Sequence, residues 1–350
     1  MPTPFTFREM QPSDGTALRA LMETDLPSTG MSMTTRFQVD PYQAWRTLKP
    51  SMLGVVAEAA GVEGLVGTAT ISFEDMQFDG RVLPSGFLEN LKVHHAYRGQ
   101  GLGTQLAQWR IDQARVRYGD ECVIVTGTSS DNAASLATMK KWAKQFVGPI
   151  MIVPRPPHDR APKRLAGVTI RPAEARDYAA IADKSNRFHA DFNLYPPLSA
   201  DYLDATLNAE APIKVFHYRV AVDDSGNLLA GALISERARL MVDDFHNVPL
   251  PLAFANRFLN VLPADSVLRL SEIGSLWFDN LQAARYLWEH IRWEFRDSTN
   301  SFSSGYDPRG PLSDVFQVKA WHMPKLQIQL AVAGPTLMNE DRLLANTLRG

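Results

Sequence analysis

The chain has 350 residues, 45% of them hydrophobic and 21% charged, with a formal net charge of −2. That length allows two domains of about 100–200 residues each, and the near-neutral balance gives no electrostatic pull toward nucleic acid or an anionic membrane. A single cysteine, Cys122, excludes an internal disulfide, no Cys/His cluster has metal-ligand spacing, and no apolar run is long enough for a membrane span. The polar N-terminus, without the apolar core of a signal peptide, makes the cytoplasm the expected location.

In chain order, Phe5 to Arg8 reads as a strand, Pro12-Ser13-Asp14 as a polar turn, and Ala17 to Met22 as an apolar-periodic helix. Gly54 to Ala59 and Leu65 to Phe73 read as paired strands around a Gly61/Gly64 turn. Phe87 to Val93 alternates as a half-buried strand. Gly101 to Tyr118 is predicted helical, with Leu102, Leu106, Trp109 and Ala114 near one face. A strand over Cys122 to Thr126 and a helix over Asn132 to Phe146 follow. Val153 to Arg164 holds four prolines and reads as an extended linker. Beyond it the order recurs: strand Val168 to Arg171, turn Ala175-Arg176-Asp177, helix Tyr178 to Ala182, then strands Tyr218 to Val222 and Leu228 to Ser235. Leu268 to Phe278 and Leu281 to Phe295 take the next strand and helix places, and Leu326 to Val332 closes as a strand. The recurrence reads as an internal duplication of one α/β unit.

Chemistry concentrates at Val93-His94-His95-Ala96-Tyr97-Arg98-Gly99-Gln100-Gly101-Leu102-Gly103-Thr104, where a strand meets a helix through a glycine-rich turn. Three glycines let the backbone bend tightly and approach a ligand. The first helical turn adds unpaired N–H groups and a positive dipole end, a site for phosphate oxygens, and Arg98 can add a charge-assisted contact. No lysine follows as a Walker loop requires, and the spacing is wrong for a dinucleotide fingerprint. The bland alternative is a tight turn without a ligand.

The segment resembles the signature of the GCN5-related N-acetyltransferase (GNAT) family, Val-x-Pro-x-Tyr-Arg-Gly-x-Gly-x-Gly, with His95 at the proline position. The resemblance implies a mixed α/β (α+β) fold of two tandem GNAT-like acyl-CoA N-acyltransferase domains, with mostly antiparallel sheets flanked by helices. It implies acetyl-CoA as co-substrate and no metal. Leu91, Lys92 and Val93 would hold the pantetheine arm, and Arg98, Gly99, Gln100, Gly101, Leu102, Gly103 and Thr104 the pyrophosphate. Asn132 matches an asparagine that starts the next helix and contacts the cofactor arm; as a plain helix N-cap it would look the same. Glu89 stands where many members carry the general base that takes the proton of the acceptor ammonium; its alternative is a solvated strand carboxylate. Where the family often has a tyrosine acid this chain has Met139, leaving Tyr97 and His94/His95 as nearby candidates.

The expected division is a GNAT domain over 1–153, a Pro-rich linker over 154–166, a degenerate copy over 167–335 and a polar tail over 336–350. The second copy lacks the glycines after Glu272 to Phe278 and is not expected to bind CoA; Trp277, Trp288 and Trp293 belong to a packed helix surface or to an acceptor pocket. Asp243-Asp244 reads as a solvated loop or a lure for a cationic acceptor. The first half runs short of strands, with only Ile150 to Val153 after its last helix, so Leu326 to Val332 is a candidate to complete it. The expected activity is transfer of an acetyl group to a primary amine of a small molecule or peptide, by direct attack. A non-catalytic acyl-CoA sensor or scaffold is the alternative. No nucleic-acid or membrane partner is expected, and a homodimer is compatible with the sequence.

Overall fold

The computed structural model describes residues 5–24, 31–209, 213–250, 256, 262–317 and 326–345. The first half runs β1 (Phe5–Glu9), α1 (Gly15–Met22), β2 (Ser32–Phe37), α2 (Pro41–Leu48), β3 (Leu53–Ala59), β4 (Gly67–Phe78), β5 (Arg81–Val93), α3 (Leu102–Tyr118), β6 (Val123–Ser129), α4 (Ala133–Met139) and β7 (Gln145–Arg155). The second runs β8 (Val168–Pro172), α5 (Tyr178–Phe188), β9 (Phe192–Asn193), α6 (Ala200–Leu207), β10 (Phe216–Asp223), β11 (Leu228–Ser235), β12 (Met241–His246), β13 (Val267–Leu268), β14 (Leu270–Phe278), α7 (Leu281–Glu294), β15 (Ser301–Tyr306), α8 (Leu312–Phe316), β16 (Leu326–Ala333) and β17 (Leu343–Leu344).

Twelve of these strands form one sheet, in the order β1-β3-β4-β5-β6-β16-β7-β15-β14-β11-β10-β8. Pairing is antiparallel throughout except for β5 with β6 and β14 with β15. Helix α3 covers the first half, seating Ile111 and Ala114 on Ile71 and Leu88. Helix α7 covers the second, seating Leu287 and Ile291 against Ala221, Ala230 and Ala232.

The duplication is written in details finer than element order. In β1, the Arg8 guanidinium donates two bonds of 2.8 Å to Asp14, and Asp14 also accepts from the Gln11 N–H at 2.7 Å. In β8, Arg171 clamps Asp177 the same way, and Asp177 accepts from the Glu174 N–H at 2.8 Å. Both carboxylates close the turn that starts the first helix of their half, a charge-assisted cap. The fourth core strands share an irregularity too. Opposite β4 the register jumps from Thr70↔Glu89 to Thr68↔Lys92, and opposite β11 from Leu233↔Gly274 to Gly231↔Trp277. Asn90 and Ser275 sit in these bulges with φ of 52° and 47°. A bulge adds a residue to one strand and re-aims its neighbours.

The halves complete each other. Strand β16, from the end of the second half, lies between β6 and β7 of the first, with Leu330 opposite Gly127 and Val147. Strand β7, from the end of the first half, pairs through Met151 to Arg155 with β15 of the second. Leu326 to Val332 thus supplies the strand the first half lacks. A second tie joins β2 to β12, where Arg36 pairs with Asp244 at 2.8 Å and Thr35 donates to Asp243 at 2.7 Å. Asp243-Asp244 is therefore an inter-half ion-pair site, engaged by Arg237 and Arg36, and not a solvated loop.

Two further readings change. The helix expected to reach Phe146 ends at Met139, because Gln145 onward is drawn into pairing with β16 and Lys144 N–H already donates to Val332 O at 2.9 Å. Tertiary pairing overrides local propensity there. The first residues of the proline-rich stretch, Val153 to Arg155, belong to β7. Past β16, Met338, Leu344 and Ala345 are buried, and β17 pairs with β9, so the described part of the C-terminal stretch is packed onto the body.

Candidate functional site

The site begins where β5 and β6 part. They are hydrogen-bonded as parallel neighbours only over Ser85↔Val123, Gly86↔Ile124 and Phe87↔Val125. A last tie, Thr126 Oγ1 donating to Leu88 O at 2.6 Å, marks the point of divergence. Beyond it a cleft of about 280 Å³ opens, walled by Glu89 to Leu91 on one side and by Thr126 to Thr128 and Asn132 on the other. The divergence is enforced from beneath. Arg110 of α3 is 3% exposed, and its guanidinium donates to Thr70 O and Glu89 O, both at 3.0 Å, and to Leu106 O at 3.1 Å. It thereby pins the bulge at Asn90, whose amide donates to Thr70 Oγ1 at 3.0 Å. Burial pushes this guanidinium down to about 9, still protonated at neutral pH.

The glycine turn sits at the mouth of the cleft. Gly99 and Gly101 have φ of 77° and 83°, the left-handed region that favours glycine, and a Cβ on either would point into open space or at most a 3.9 Å contact. Hydrogen bonding of the backbone N–H groups runs to Arg98, which donates to His95 O, and resumes at Thr104 and Gln105, which both donate to Gly101 O at 3.1 Å. Between them, the N–H groups of residues 99–103 make no hydrogen bond among the described residues. Five donors at the start of a helix of 17 residues form an anion cradle.

The other expected residues are distributed around this frame. Val93 leads into the turn, and its O accepts from Arg98 Nε at 3.3 Å, folding that guanidinium against the loop. Leu91 is exposed at the cleft rim. Lys92 reaches away, donating to Met22 O at 3.3 Å and Thr24 O at 3.4 Å. Gln100 donates to Ala96 O at 3.2 Å. Thr104 accepts from Lys141 Nζ at 2.9 Å, a second cation beside the turn that the sequence pattern did not single out. Asn132 caps α4 by accepting from Ser135 N–H at 3.1 Å and also lines the cleft. Met139 is 4% exposed and faces the cleft, where it has no proton to give. The His94 and His95 ring centroids lie 4.4 Å apart, with the rings tilted by 31°.

Glu89 stands on β5 immediately before the bulge at Asn90. It borders the cleft, while strand alternation sends its side chain away from α3, where Ser72 Oγ donates to it at 3.1 Å. Burial pushes its carboxyl above the usual carboxylate range. Lys49 and the Ser72 bond pull it back, and Glu74 and Glu272 add to the rise. Lys49, Glu74 and Glu272 all line a larger cavity of about 930 Å³ between the halves. No sequence pattern announced this cavity, because its walls come from α2, β4, α6 and β14, far apart in the chain.

The corresponding place in the second half has no glycine turn. Ser304 Oγ donates to Ile273 O at 3.1 Å, the counterpart of the Thr126 tie, but α7 follows β14 after only two residues, with Asn280 capping it. Trp288, Phe302 and Phe316 belong to one core cluster of this half, with Trp288 2% exposed and in edge contact with both rings.

Residues 18–143 match the family model described as Acetyltransferase (GNAT) family. No curated protein matches the chain in sequence. Among solved structures, N-myristoyltransferase of Saccharomyces cerevisiae with bound myristoyl-CoA aligns at a TM-score of 0.66 and 13% identity, covering 100% of this chain and 89% of that one. A GCN5-related N-acetyltransferase from Sphaerobacter thermophilus aligns at 0.59 and 17%, covering 96% and 97%. A probable N-acyltransferase from Enterococcus faecalis aligns at 0.51 and 13%, covering 94% and 72%. The segment that matches the acetyltransferase family model holds the glycine turn, the cleft and Glu89, and the chain as a whole shares the fold of these solved structures.

Proposed function

We propose that the chain is an acetyl-CoA-dependent N-acetyltransferase acting on a primary amine, with the working site in the first half. The observation that carries this reading is the parting of β5 from β6 with an open five-amide cradle at its mouth and Glu89 at its inner end. The residues fit the co-substrate: residues 99–103 would hold the pyrophosphate, with Arg98 and Lys141 adding charge, and Leu91 to Val93 would pair with the pantetheine amides. Bound acetyl-CoA supplies a thioester whose carbonyl carbon bonds to the attacking nitrogen as the C–S bond breaks and thiolate leaves.

The chain's own task is proton handling. An ammonium cannot attack, so its proton passes to the Glu89 carboxylate, directly or through water. A carboxyl raised by burial is a better base than a solvated one. Met139 cannot protonate the leaving group, but a thiolate with a pKa of about 8.5 leaves without that help. The acceptor enters from the inter-half cavity, which reaches the environment of Glu89 through Lys49, Glu74 and Glu272.

Calorimetric titration of acetyl-CoA tests the binding half of this reading, and thiol release with a panel of amines tests the transfer half. One site per chain near the micromolar range, about −8 kcal/mol, with amine-dependent thiol release supports it. Two sites would give the second half a role that its lack of a glycine turn argues against. Binding without release from any amine would leave the sensor or scaffold reading, which Met139 favours. No binding would refute both.

A further inference from the structure

We propose that the second half anchors the acceptor: Glu272 and Ser235 form a subsite for the non-reacting cation of an amine that carries two basic nitrogens joined by an apolar span. For the reacting nitrogen this rests on the function proposed above; for the anchor it rests on the cavity alone.

The cavity of about 930 Å³ is of small-molecule size. Its walls include Leu48, Phe73, Val215, Phe216, Leu233 and Leu240, which suit an apolar span. Among its polar lining groups, two stand on the sheet of the second half. Glu272 on β14 and Ser235 on β11 are direct register partners, so their side chains share one face of the sheet. Both line the cavity. Glu272 makes no hydrogen bond or ion pair among the described residues, and Ser235, 3% exposed, has a hydroxyl with no partner. Buried polar groups are normally paired, and leaving them unpaired is costly. Ser235 is such a group, and the half-buried, unpaired Glu272 beside it faces the same cavity, an arrangement that suits a ligand.

The first half shows what a satisfied version looks like. Ser72 takes the register position on β4 that Ser235 takes on β11, and it donates to Glu89 at 3.1 Å. In the second half Gly274 stands at the place of Glu89, and the carboxylate has moved two residues back, to the place of Phe87. The copy without a phosphate turn has thus kept an acid, displaced along the strand and aimed into the shared cavity.

Arg237, the nearest strong influence on Glu272, is committed to Asp243 at 2.7 Å. Lys49 acts on both Glu89 and Glu272 but pairs with neither. The cavity lining holds three carboxylates, Glu74, Asp75 and Glu272, and three cations, Arg46, Lys49 and Lys214, and of these carboxylates Glu272 is the one beside the unpaired Ser235. An ammonium seated there would give both groups a partner; a monoamine has no second nitrogen to offer them, and a carboxylate-bearing amine would have to rely on Lys49.

The test is calorimetry on the full chain without acyl donor, using 1,8-diaminooctane, octylamine and 8-aminooctanoate. The diamine is expected to bind at least roughly tenfold more tightly than octylamine, about 1.4 kcal/mol, and 8-aminooctanoate more weakly than the diamine. E272Q erases the preference, S235A reduces it, and E272D retains part of it, with acetyl-CoA affinity and melting temperature unchanged in all three. Equal binding of diamine and monoamine overturns the proposal, as does discrimination that survives E272Q. Preference for 8-aminooctanoate overturns it in favour of Lys49 as the anchor. Because this arm needs no donor, its result is separate from thiol release, whose failure would count against the transferase reading instead.

Discussion

Replacing Leu330 by alanine probes the exchange of strands between the halves. Leu330 is 1% exposed in the middle of β16 and packs with Val147, Ile150 and Val125. Its space is tight: a Cβ on Gly127 would lie only 3.1 Å from Leu330 Cδ2 and 2.9 Å from Ile328 Cγ2. Backbone pairs on both sides of β16 prevent collapse into the gap, so the cost belongs in the upper part of the Leu→Ala range, about 3–5 kcal/mol. At roughly 2–4 °C per kcal/mol, the melting temperature should fall by about 6–20 °C. Hydrogen exchange read by mass spectrometry is the assay. Because β16 joins β6 to β7, and β7 joins β15, exchange should rise in peptides of β5 and β6 and also in those of β15. A rise confined to one half, or a loss below about 1 kcal/mol, would refute the claim that the exchanged strand couples them.

Three further outcomes are expected. G101E puts a bulky anion in the cradle and a side chain at φ 83°, so it should abolish acetyl-CoA binding in calorimetry while circular dichroism shows the fold retained. E89Q should lower kcat roughly 10²–10⁴-fold with acetyl-CoA affinity unchanged. In the parent enzyme the acidic limb of the rate profile should lie above the ordinary carboxylate range, since the base works only when ionised and burial raises it; that limb should vanish in E89Q. The bond from Arg8 lowers Asp14, and that from Arg171 lowers Asp177. Each therefore contributes stability that is complete above the unfolded carboxylate pKa and is lost as pH falls through the lower folded value. D14N and D177N should each cost about 1 kcal/mol at neutral pH, discounted for the partly exposed arginines, and the difference from the parent in denaturant melts should shrink in acid.

The glycine turn was legible because its chemistry is local: residues 93 to 104 carry strand, bend and helix start in one run. The duplication was legible as element order, and the missing strand could be inferred because the first half ran out of chain after Val153. What escaped is non-local. Arg110 looks like any helix residue until α3 is laid under the bulge at Asn90. Lys141 becomes a neighbour of the turn only when α4 ends early. Asp243-Asp244 could be read as solvated because its partners Arg36 and Thr35 are about two hundred positions away. Glu272 had no motif around it, and its meaning comes from facing a cavity walled by the other half.

The reciprocal placing of β7 and β16 has a consequence for how the chain is made. When Arg155 has left the ribosome, the first half still lacks the strand that belongs between β6 and β7, and it waits for Ala333, roughly 180 residues later. At about 5–20 residues per second, that delay is on the order of ten to forty seconds. For that time the nascent first half carries an open slot bordered by unpaired strand edges and by Val125, Val147 and Ile150, a surface inviting foreign strands. Any cell that makes this protein must keep that slot covered until the last segment arrives.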